Sequence, residues 1–269
     1  MARRDDDPDF IEALARGLDV LRAFDAGRPA MTLAEVANAT GLARPTARRI
    51  LRTLQSLSYV QSQGGAFTLT PRVMELGLAY VQALGLWDVA RPHLERLVAR
   101  THESSSIAQL DGPDIVYVAR VAVPKIIALR VSIGTRFPAP QTSLGKVLLA
   151  GLSAQELDDV LAQPSRSGVH PPWQPDRAEL DEVLRDVRAK GWAVTDQQLA
   201  PGIRSVAAPL RDSGGRVIAA MNVTVHAAET SMETLQGNHL PLLLQTAGEV
   251  SADFARYQAA PVTYVVSAG

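Results

Sequence analysis

The 269-residue chain contains no cysteine, and aromatic residues make up only 5% of it. Without cysteine there are no disulfides, thiolate metal ligands, thiol nucleophiles or iron–sulfur clusters. No apolar run approaches the roughly 20 residues that a membrane helix needs. The charged residues 1–9 are not followed by an apolar stretch of the signal-peptide type. We therefore expect a soluble cytoplasmic protein that does not contact a membrane, with residues 1–9 as a disordered tail.

The sequence also lacks the patterns of common catalytic and cofactor sites. Its five histidines are scattered, with no metal-ligand spacing: His93, His102, His170, His226 and His239. Residues 142–146 resemble the end of a phosphate loop but lack its first glycine and the hydroxyl residue after the lysine. Neither a G-x-S-x-G motif nor a dinucleotide fingerprint is present. We therefore expect no enzyme, no catalytic residue, no metal and no cofactor.

Charge is distributed unevenly along the chain. The totals of 27 basic and 28 acidic side chains nearly cancel, yet residues 28–72 hold six arginines and one acid. Residues 89–269 are close to neutral, with 17 basic and 18 acidic side chains. A local basic block in a neutral protein is typical of a nucleic-acid reader. The alternative is a solvated helix face that carries several arginines.

The first seventy residues predict a winged helix-turn-helix. Apolar residues at three-to-four spacing predict a helix over 10–26, and Thr32 with Glu35 forms a capping box that starts a second one. Gly41 allows a tight turn before a third helix over 43–57. Two short alternating runs, 59–61 and 66–70, flank a Gly-Gly turn and predict a hairpin.

In such a unit the third helix enters the major groove, where its N-terminal residues contact base edges. Arginine can bind guanine in a bidentate fashion, whereas Arg52, further along the helix, suits a phosphate. The tip of the hairpin suits the backbone or the minor groove. The predicted DNA-binding residues are Arg44, Pro45, Thr46, Arg48, Arg49, Arg52, Gln63 and Gly64. A protein-interaction module with the same three helices and hairpin remains the alternative.

The residues that follow predict one continuous apolar helix over 71–86, which is a candidate dimer contact or else packs on its own chain. From Trp87 onward the pattern predicts an α+β domain with a largely antiparallel sheet. We expect helices over 87–101, 143–152, 154–162, 177–190 and 240–257, and strands over 106–110, 115–121, 126–133, 206–210 and 217–225.

Polar residues in this second domain predict a pocket for a small organic acid. A helix that starts at Ser143 presents free backbone N–H groups, which suit an anion. Arg204 could clamp a carboxylate in a bidentate manner, and Asn222 and Thr224 alternate along one strand face. The alternative is an ordinary surface arginine beside polar edge residues.

Several segments, in this order, resemble the IclR-type transcriptional regulators over residues 10–258. They are IEALARGLDVLRAF, TLAEVANATGLARPTARRILRTLQSLSYV, FTLTPRVMELG, PQTSLGKVLLAGLS, GWAVTDQQLAPGIRSVAAPLRD and VIAAMNVTV. The opening DPDFIEALARGLDVLRAF looks most like the PcaR/PcaU/PobR branch, which controls aromatic-acid breakdown through protocatechuate and β-ketoadipate. The resemblance implies an N-terminal winged helix-turn-helix, a linker helix and a C-terminal α/β GAF-like effector-binding domain.

By this resemblance we expect operator DNA, a small carboxylic-acid effector and a second copy of the chain as partners, in a dimer or a tetramer. RNA polymerase is a further partner if the protein activates. The expected limits are 10–71 for the DNA-binding domain, 72–88 for a linker and dimerisation helix, 89–260 for the effector domain, and 261–269 for a tail. The implied ligand-binding residues are Ile126, Ser143, Leu144, Thr195, Asp196, Arg204, Ser205, Asn222 and Thr224. Two alternatives stay open: a small-acid enzyme with an appended helix-turn-helix, and an IclR-type regulator of glyoxylate or sugar-acid metabolism.

Overall fold

The computed structural model describes residues 9–25, 27–124 and 131–259, apart from the side chains of residues 78 and 81–84. Contacts within the chain separate two units, residues 1–83 and 84–269. The helices of the first unit are α1 (Glu12–Arg22), α2 (Leu33–Thr40), α3 (Arg44–Ser56) and α4 (Met74–Leu84), the last of which reaches the boundary. Its strands are β1 (Ala30–Thr32), β2 (Val60–Gln63) and β3 (Ala66–Leu69).

The first unit is the predicted winged helix-turn-helix. Its three-stranded antiparallel sheet has the order β1-β3-β2. The capping box at Thr32 forms as expected, since the Thr32 hydroxyl accepts from the Glu35 N–H and the Glu35 carboxylate accepts from the Thr32 N–H. Helix α2 ends at Gly41, whose φ of 67° is in the left-handed region. The apolar core lies between the three helices and the sheet, around Val20, Val36, Ala47, Leu51 and Val60.

In this unit one predicted boundary was wrong and one strand was not predicted. Helix α1 stops at Arg22 rather than continuing to residue 26, because the Asp25 carboxylate accepts from the backbone N–H groups of Gly27 and Arg28 and stabilises a turn. Strand β1 was missed, since three residues are too few to show an alternating pattern.

The described residues of the second unit form five longer helices and one short one: α5 (Leu86–Thr101), α6 (Ser143–Ala150), α7 (Ala154–Leu161), α8 (Arg177–Lys190), α9 (Met232–Thr234) and α10 (Leu240–Ala259). Its strands are β4 (Ser104–Asp111), β5 (Asp114–Val121), β6 (Arg136–Pro138), β7 (Ala193–Asp196), β8 (Ile203–Arg211) and β9 (Val217–His226). They form one antiparallel sheet in the order β6-β5-β4-β9-β8-β7.

Both faces of this sheet are covered by helices, which confirms the predicted α+β class. Helices α5 and α10 cover one face, where Ile107, Val206 and Met221 are fully buried. Helices α6 and α8 lie on the other face, over small strand residues such as Ala207 and Ala220. Those alanines leave room above the sheet beside α6.

Three elements predicted from residue 71 onward differ from the structure. The helix expected over 71–86 begins as a 3₁₀ turn (Pro71–Val73) and ends at Gly85, which has a φ of 62°. Glycine is required at position 85 for two reasons. This φ is in the left-handed region, and a Cβ would lie 2.4 Å from the Tyr257 ring. Of the strand expected over 126–133, only residues 131–133 are described. They are not a strand, because residues 131–134 form a turn before β6. The closing helix is continuous from Met232, through one π-helical turn.

Candidate functional site

Helix α3 presents a row of exposed arginines. Ala47, Leu51 and Leu54 are buried and fix which side of the helix faces the core. The side chains on the other side are exposed: Arg44, Pro45, Arg48, Arg49 and Arg52, with Thr46 half-buried. Within the described part of the chain, none of the four guanidinium groups is paired with a carboxylate. The arrangement leaves four cations free for phosphates or base edges.

The hairpin that follows α3 ends in a two-residue turn. Gly64 and Gly65 have φ angles of 59° and 83°, as a tight hairpin turn of this kind requires. Gln63 and Gly64 are exposed at the tip. The structure thus places the predicted helix and wing residues on the surface of the first unit.

The second unit contains a cavity between the sheet and the start of α6. About 740 Å³ of empty space, its open mouth included, is bounded by strand residues of β4, β5, β7, β8 and β9. The lining is Glu103, Ser104, Tyr117, Arg120, Val123, Val131, Gln141, Thr142, Ser143, Leu144, Thr195, Leu199, Ile203, Ser205, Asn222, Thr224, Val225 and His226. Six of the nine predicted ligand-binding residues are among them: Ser143, Leu144, Thr195, Ser205, Asn222 and Thr224.

Two neighbouring rows of the sheet form the floor of the cavity. One row crosses four strands through Thr195, Ser205, Thr224 and Ser104. The next row, two residues further along, crosses through Ala207, Asn222, Ser106 and Arg120. Paired residues in a sheet point to the same face, so the polar members of both rows face the cavity together.

Helix α6 closes one side of the cavity with its N-terminus. The Thr142 hydroxyl caps the helix by accepting from the Gly145 N–H at 2.9 Å, and Ser143 and Leu144 form part of the cavity wall. A Cβ on Gly145 would lie 2.1 Å from the carbonyl oxygen of Ala139. The glycine therefore allows the 3₁₀ turn before α6 (Ala139–Gln141) to pack against that helix, which brings the helix start to the sheet.

Three buried hydroxyl groups are linked beside this helix start. The Ser143 and Ser205 hydroxyl oxygens are 2.7 Å apart, and the Thr195 and Ser205 oxygens are 2.8 Å apart. In the adjacent row the Asn222 side chain accepts from the Ser106 N–H and donates to the Thr224 hydroxyl. The floor of the cavity is thus a connected polar surface.

Sequence reasoning missed Arg120, a cation in the described lining of the cavity. Its guanidinium donates to the Ser106 hydroxyl at 2.9 Å, and among the described residues no carboxylate pairs with it. Burial lowers the pKa of Arg120 from its ordinary value, yet an arginine remains charged at neutral pH. The one available signal was a lone arginine in the apolar run 115–121.

A β-bulge explains why Arg120 faces the cavity together with Tyr117. Ile107 pairs with Ala119, but Ala108 pairs with Tyr117, so Val118 is an extra residue on β5. Three residues apart on a regular strand, Tyr117 and Arg120 would face opposite sides. Burial raises the pKa of the Tyr117 phenol to about 12, so this ring faces the cavity in its neutral form.

Two of the predicted ligand-binding residues lie outside the cavity. Arg204 donates to the Asp196 carboxylate at 2.7 Å and to the backbone carbonyls of Ala227 and Thr230. The pairing with Arg204 holds the pKa of Asp196 below its usual range. Arg204 is next to the cavity residue Ser205 along β8, and Asp196 is next to Thr195 along β7. Because neighbouring residues of a strand point to opposite faces, Arg204 and Asp196 face the other side of the sheet. Ile126 lies outside the described residues.

No helix in the described part of the chain is both long and apolar enough to span a membrane. Over the same residues, no group of three or more histidine or carboxylate side chains is arranged to hold a metal ion.

A winged helix-turn-helix with an unpaired basic helix, in a chain that also holds a polar cavity, defines a ligand-responsive DNA-binding regulator. Comparison with known families makes this specific. Residues 13–64 match the model of the IclR helix-turn-helix domain, and residues 78–252 match that of the bacterial transcriptional regulator IclR C-terminal domain. The chain belongs to the IclR family of bacterial transcriptional regulators.

Individual relatives confirm the predicted branch. The chain is 38% identical to the Pca regulon regulatory protein of Pseudomonas putida, over 88% of this chain and 82% of the relative. It is 34% identical to the p-hydroxybenzoate hydroxylase transcriptional activator of Acinetobacter baylyi, over 90% and 91%. An IclR homolog from Microbacterium hydrocarbonoxydans, solved in complex with 4-hydroxybenzoate, superposes with a TM-score of 0.78 at 26% identity, covering 91% of this chain and 99% of that one.

Proposed function

We propose that this regulator senses an aromatic monocarboxylic acid and controls genes of aromatic-acid breakdown through protocatechuate and β-ketoadipate. Two of its relatives are named for the Pca regulon and for p-hydroxybenzoate hydroxylase, and a third was solved with 4-hydroxybenzoate. The observation in this chain that carries the proposal is the Arg120 guanidinium in the cavity, which pairs with no carboxylate among the described residues.

The surroundings of Arg120 suit a flat ring that carries one carboxylate. A guanidinium binds a carboxylate through two parallel N–H donors, and these bonds are strong where water is excluded. Apolar walls for the ring come from Tyr117, Leu144, Leu199 and Ile203. We therefore place the effector carboxylate at Arg120, and not at Arg204 as the sequence pattern suggested, because Asp196 already occupies Arg204.

Isothermal titration of the full chain with 4-hydroxybenzoate, protocatechuate, β-ketoadipate and glyoxylate tests the proposal. Arg120→Met removes the charged donor and keeps much of the side-chain volume. A hydrogen bond to a charged group contributes about 1.5–3 kcal/mol, so affinity for the aromatic acid should fall by about 10- to 150-fold. Arg204→Met is the matched comparison, because it removes an arginine from the opposite face of the same sheet.

Three outcomes are informative. Loss of binding in Arg120→Met but not in Arg204→Met supports the proposed anchor. The reverse result would place the carboxylate on the other side of the sheet. Binding of glyoxylate but of no aromatic acid would contradict the proposed pathway and favour the aliphatic-acid alternative.

We further propose that Arg44, Thr46, Arg48 and Arg49 contact base edges, that Arg52 contacts a phosphate, and that Pro45 sets the helix start. The wing residues Gln63 and Gly64 would lie along the DNA backbone or the minor groove. These roles follow from exposure and position on α3 and its hairpin. Footprinting on an operator fragment tests them.

The assembly we propose is a homodimer, or a tetramer made of two dimers, which reads paired half-sites. Helix α4 lies in the proposed linker over 72–88, and its Met74 and Leu76 side chains are 62% and 55% exposed, as an apolar dimer contact would be in a single chain. The limits 10–71 and 89–260 complete the proposed domains. We expect a cytoplasmic location because the DNA partner lies there, and an activator would also contact RNA polymerase. Light scattering of the full chain measures the assembly.

A further inference from the structure

An open groove lies at the other end of α6 from the cavity. About 1330 Å³ of empty space, its mouth included, is bounded by the ends of α6 and α8 and by the hairpin that joins β8 to β9. Helix α6 has eight residues, which amounts to about 12 Å of length. The groove and the cavity have no described lining residue in common. A ligand in the groove would therefore occupy a site separate from the cavity.

A β-bulge and a glycine build the apolar floor of the groove. The pairing of β8 with β9 skips Ile218, so Arg211 lies opposite Val217. The extra residue turns Val217 to the face of the sheet that α6 covers, where it packs against the buried cluster of that face. A Cβ on Gly151 would lie 2.9 Å from the Val217 Cβ, so the glycine lets the end of α6 approach the strand.

Two arginines from different elements line this groove and keep guanidinium donors to spare. Arg188 of α8 donates from Nε to the Ala150 carbonyl at the end of α6, at 2.9 Å. Arg211 of β8 donates from one terminal nitrogen to the Gly215 carbonyl, also at 2.9 Å. A guanidinium has five N–H donors, and neither group pairs with a carboxylate in the part of the chain that the structure describes. Each arginine is thus held by a backbone contact and can still bind an anion.

The other charged side chains of the described lining are already engaged. Arg216 donates to the Asp212 carboxylate at 3.0 Å. Glu156 accepts from the Ser153 N–H at the start of α7. The hydrogen bonds of Ser153 and then the charge of Arg216 hold the pKa of Glu156 below its usual range. The two guanidinium groups described above therefore remain as cations for a ligand.

We infer that this groove is a second ligand site and that it binds an aliphatic dicarboxylate. A guanidinium binds a carboxylate through parallel N–H donors, so Arg188 and Arg211 together match a molecule with two carboxylates. The apolar floor beside Val217 matches the methylene chain between them, because contact there removes apolar surface from water. The inference does not depend on which acid the cavity binds.

Isothermal titration of the full chain with succinate, adipate and suberate tests the site, since these diacids differ in chain length. At least one should bind at least fivefold more tightly than hexanoate, which has a single carboxylate, and 1,6-diaminohexane should not bind. An exposed charged pair contributes up to a factor of about five. Arg188→Met and Arg211→Met should therefore each weaken binding of that diacid about three- to fivefold, and the double variant should weaken it more than tenfold. Arg185→Met is the matched control, because Arg185 is exposed on the same helix and does not line the groove.

Two further measurements locate the bound diacid. Because the chain has no cysteine, Arg216→Cys introduces a single thiol beside the groove and leaves Arg188 and Arg211 in place. The saturating diacid should slow alkylation of this thiol by iodoacetamide at least fivefold. The diacid should also bind Arg120→Met with unchanged affinity, since that substitution lies in the cavity.

Contrary results overturn the inference in different ways. Equal binding of the diacids and hexanoate refutes the match to two carboxylates, and no binding of any diacid refutes the site. Loss of diacid binding in Arg120→Met would place the diacid in the cavity. Unchanged affinity in the Arg188→Met/Arg211→Met double variant also refutes the groove. If a variant does not fold, as circular dichroism would show, protection of the thiol still decides the question. Failure of 4-hydroxybenzoate to bind while the diacid binds would refute the proposed function alone.

Discussion

Lys146 allows a quantitative prediction, because it is a buried cation with no anionic partner among residues 9–25, 27–124 and 131–259. Only 2% of the residue is exposed. Its Nζ donates to the Gln198 side-chain oxygen, lies 3.5 Å from the Val194 carbonyl oxygen, and is 4.6 Å from the centre of the Trp173 ring. These neighbours do not replace the lost hydration, and burial lowers the pKa of Lys146 from 10.5 to about 8.

The sign of the effect follows from proton binding. Between pH 8 and 10.5 the unfolded chain keeps this lysine protonated while the folded protein has lost the proton. The unfolded state then binds more protons, so the free energy of unfolding rises with pH in this window. At about 1.4 kcal/mol per pKa unit, the shift corresponds to about 3 kcal/mol, which is the cost of the buried charge at neutral pH.

Urea unfolding at pH 7 to 10 measures the effect on the wild type and on Lys146→Met. The variant keeps a side chain of similar length and has no charge, so its stability relative to the wild type should be greatest at pH 7. This advantage should shrink by about 2.5 kcal/mol between pH 7 and pH 10. Lys190→Met is the control, since Lys190 also lies over a tryptophan, Trp192, but is exposed and paired with Asp186.

A constant difference between wild type and Lys146→Met from pH 7 to 10 would refute the reasoning. It would mean that the Trp173 ring and the two oxygen acceptors solvate the ammonium group as well as water does.

Three further predictions concern the DNA-binding helix, a helix cap and a close approach. Arg48→Ala should weaken binding to the operator by about 1–3 kcal/mol and binding to scrambled DNA only a little. Arg52→Ala should weaken binding to both DNAs and lower the slope of log K against log salt by about 0.9. Fluorescence anisotropy at several salt concentrations measures both effects, and equal losses on the two DNAs for Arg48→Ala would exclude a base contact. Thr32→Ala should lower the unfolding free energy by about 0.5–2 kcal/mol, because the α2 capping box loses its acceptor; a change under about 0.3 kcal/mol in urea unfolding would contradict this. Gly145→Ala should lower the melting temperature by several degrees or prevent folding, since its Cβ would meet the Ala139 carbonyl, while Gly248→Ala, with open space around its Cβ, should leave stability equal or slightly higher in the same calorimetric scan.

The arginines of α3 could be predicted from the sequence more completely than the cavity could. A helix, its cap and its apolar stripe depend on residues three or four apart, so Thr32, Glu35, Gly41 and the arginines of α3 predicted their own placement. In the effector domain the same reasoning located the start of α6 and the paired residues Asn222 and Thr224.

Arg204 shows where the reasoning failed. The pattern identified Arg204 as a residue of the pocket strands. Side chains alternate between the two faces of a strand, however, and Arg204 is adjacent to Ser205, so only Ser205 faces the cavity. The partner of Arg204, Asp196, is on the edge strand β7, which the sequence analysis did not predict. Strand pairing therefore decided that this arginine stabilises the sheet.

The sequence by itself determined the winged helix-turn-helix, the basic helix and the family, because each is encoded in short, local patterns. Only the tertiary structure decided which cation faces the cavity and how the hydroxyl groups of Ser143, Thr195 and Ser205 meet. Arg120 reaches the cavity because the bulge at Val118 shifts the phase of β5 by one residue. A bulge depends on pairing between strands, and the three hydroxyl groups come from elements up to 62 residues apart, so neither leaves a local pattern.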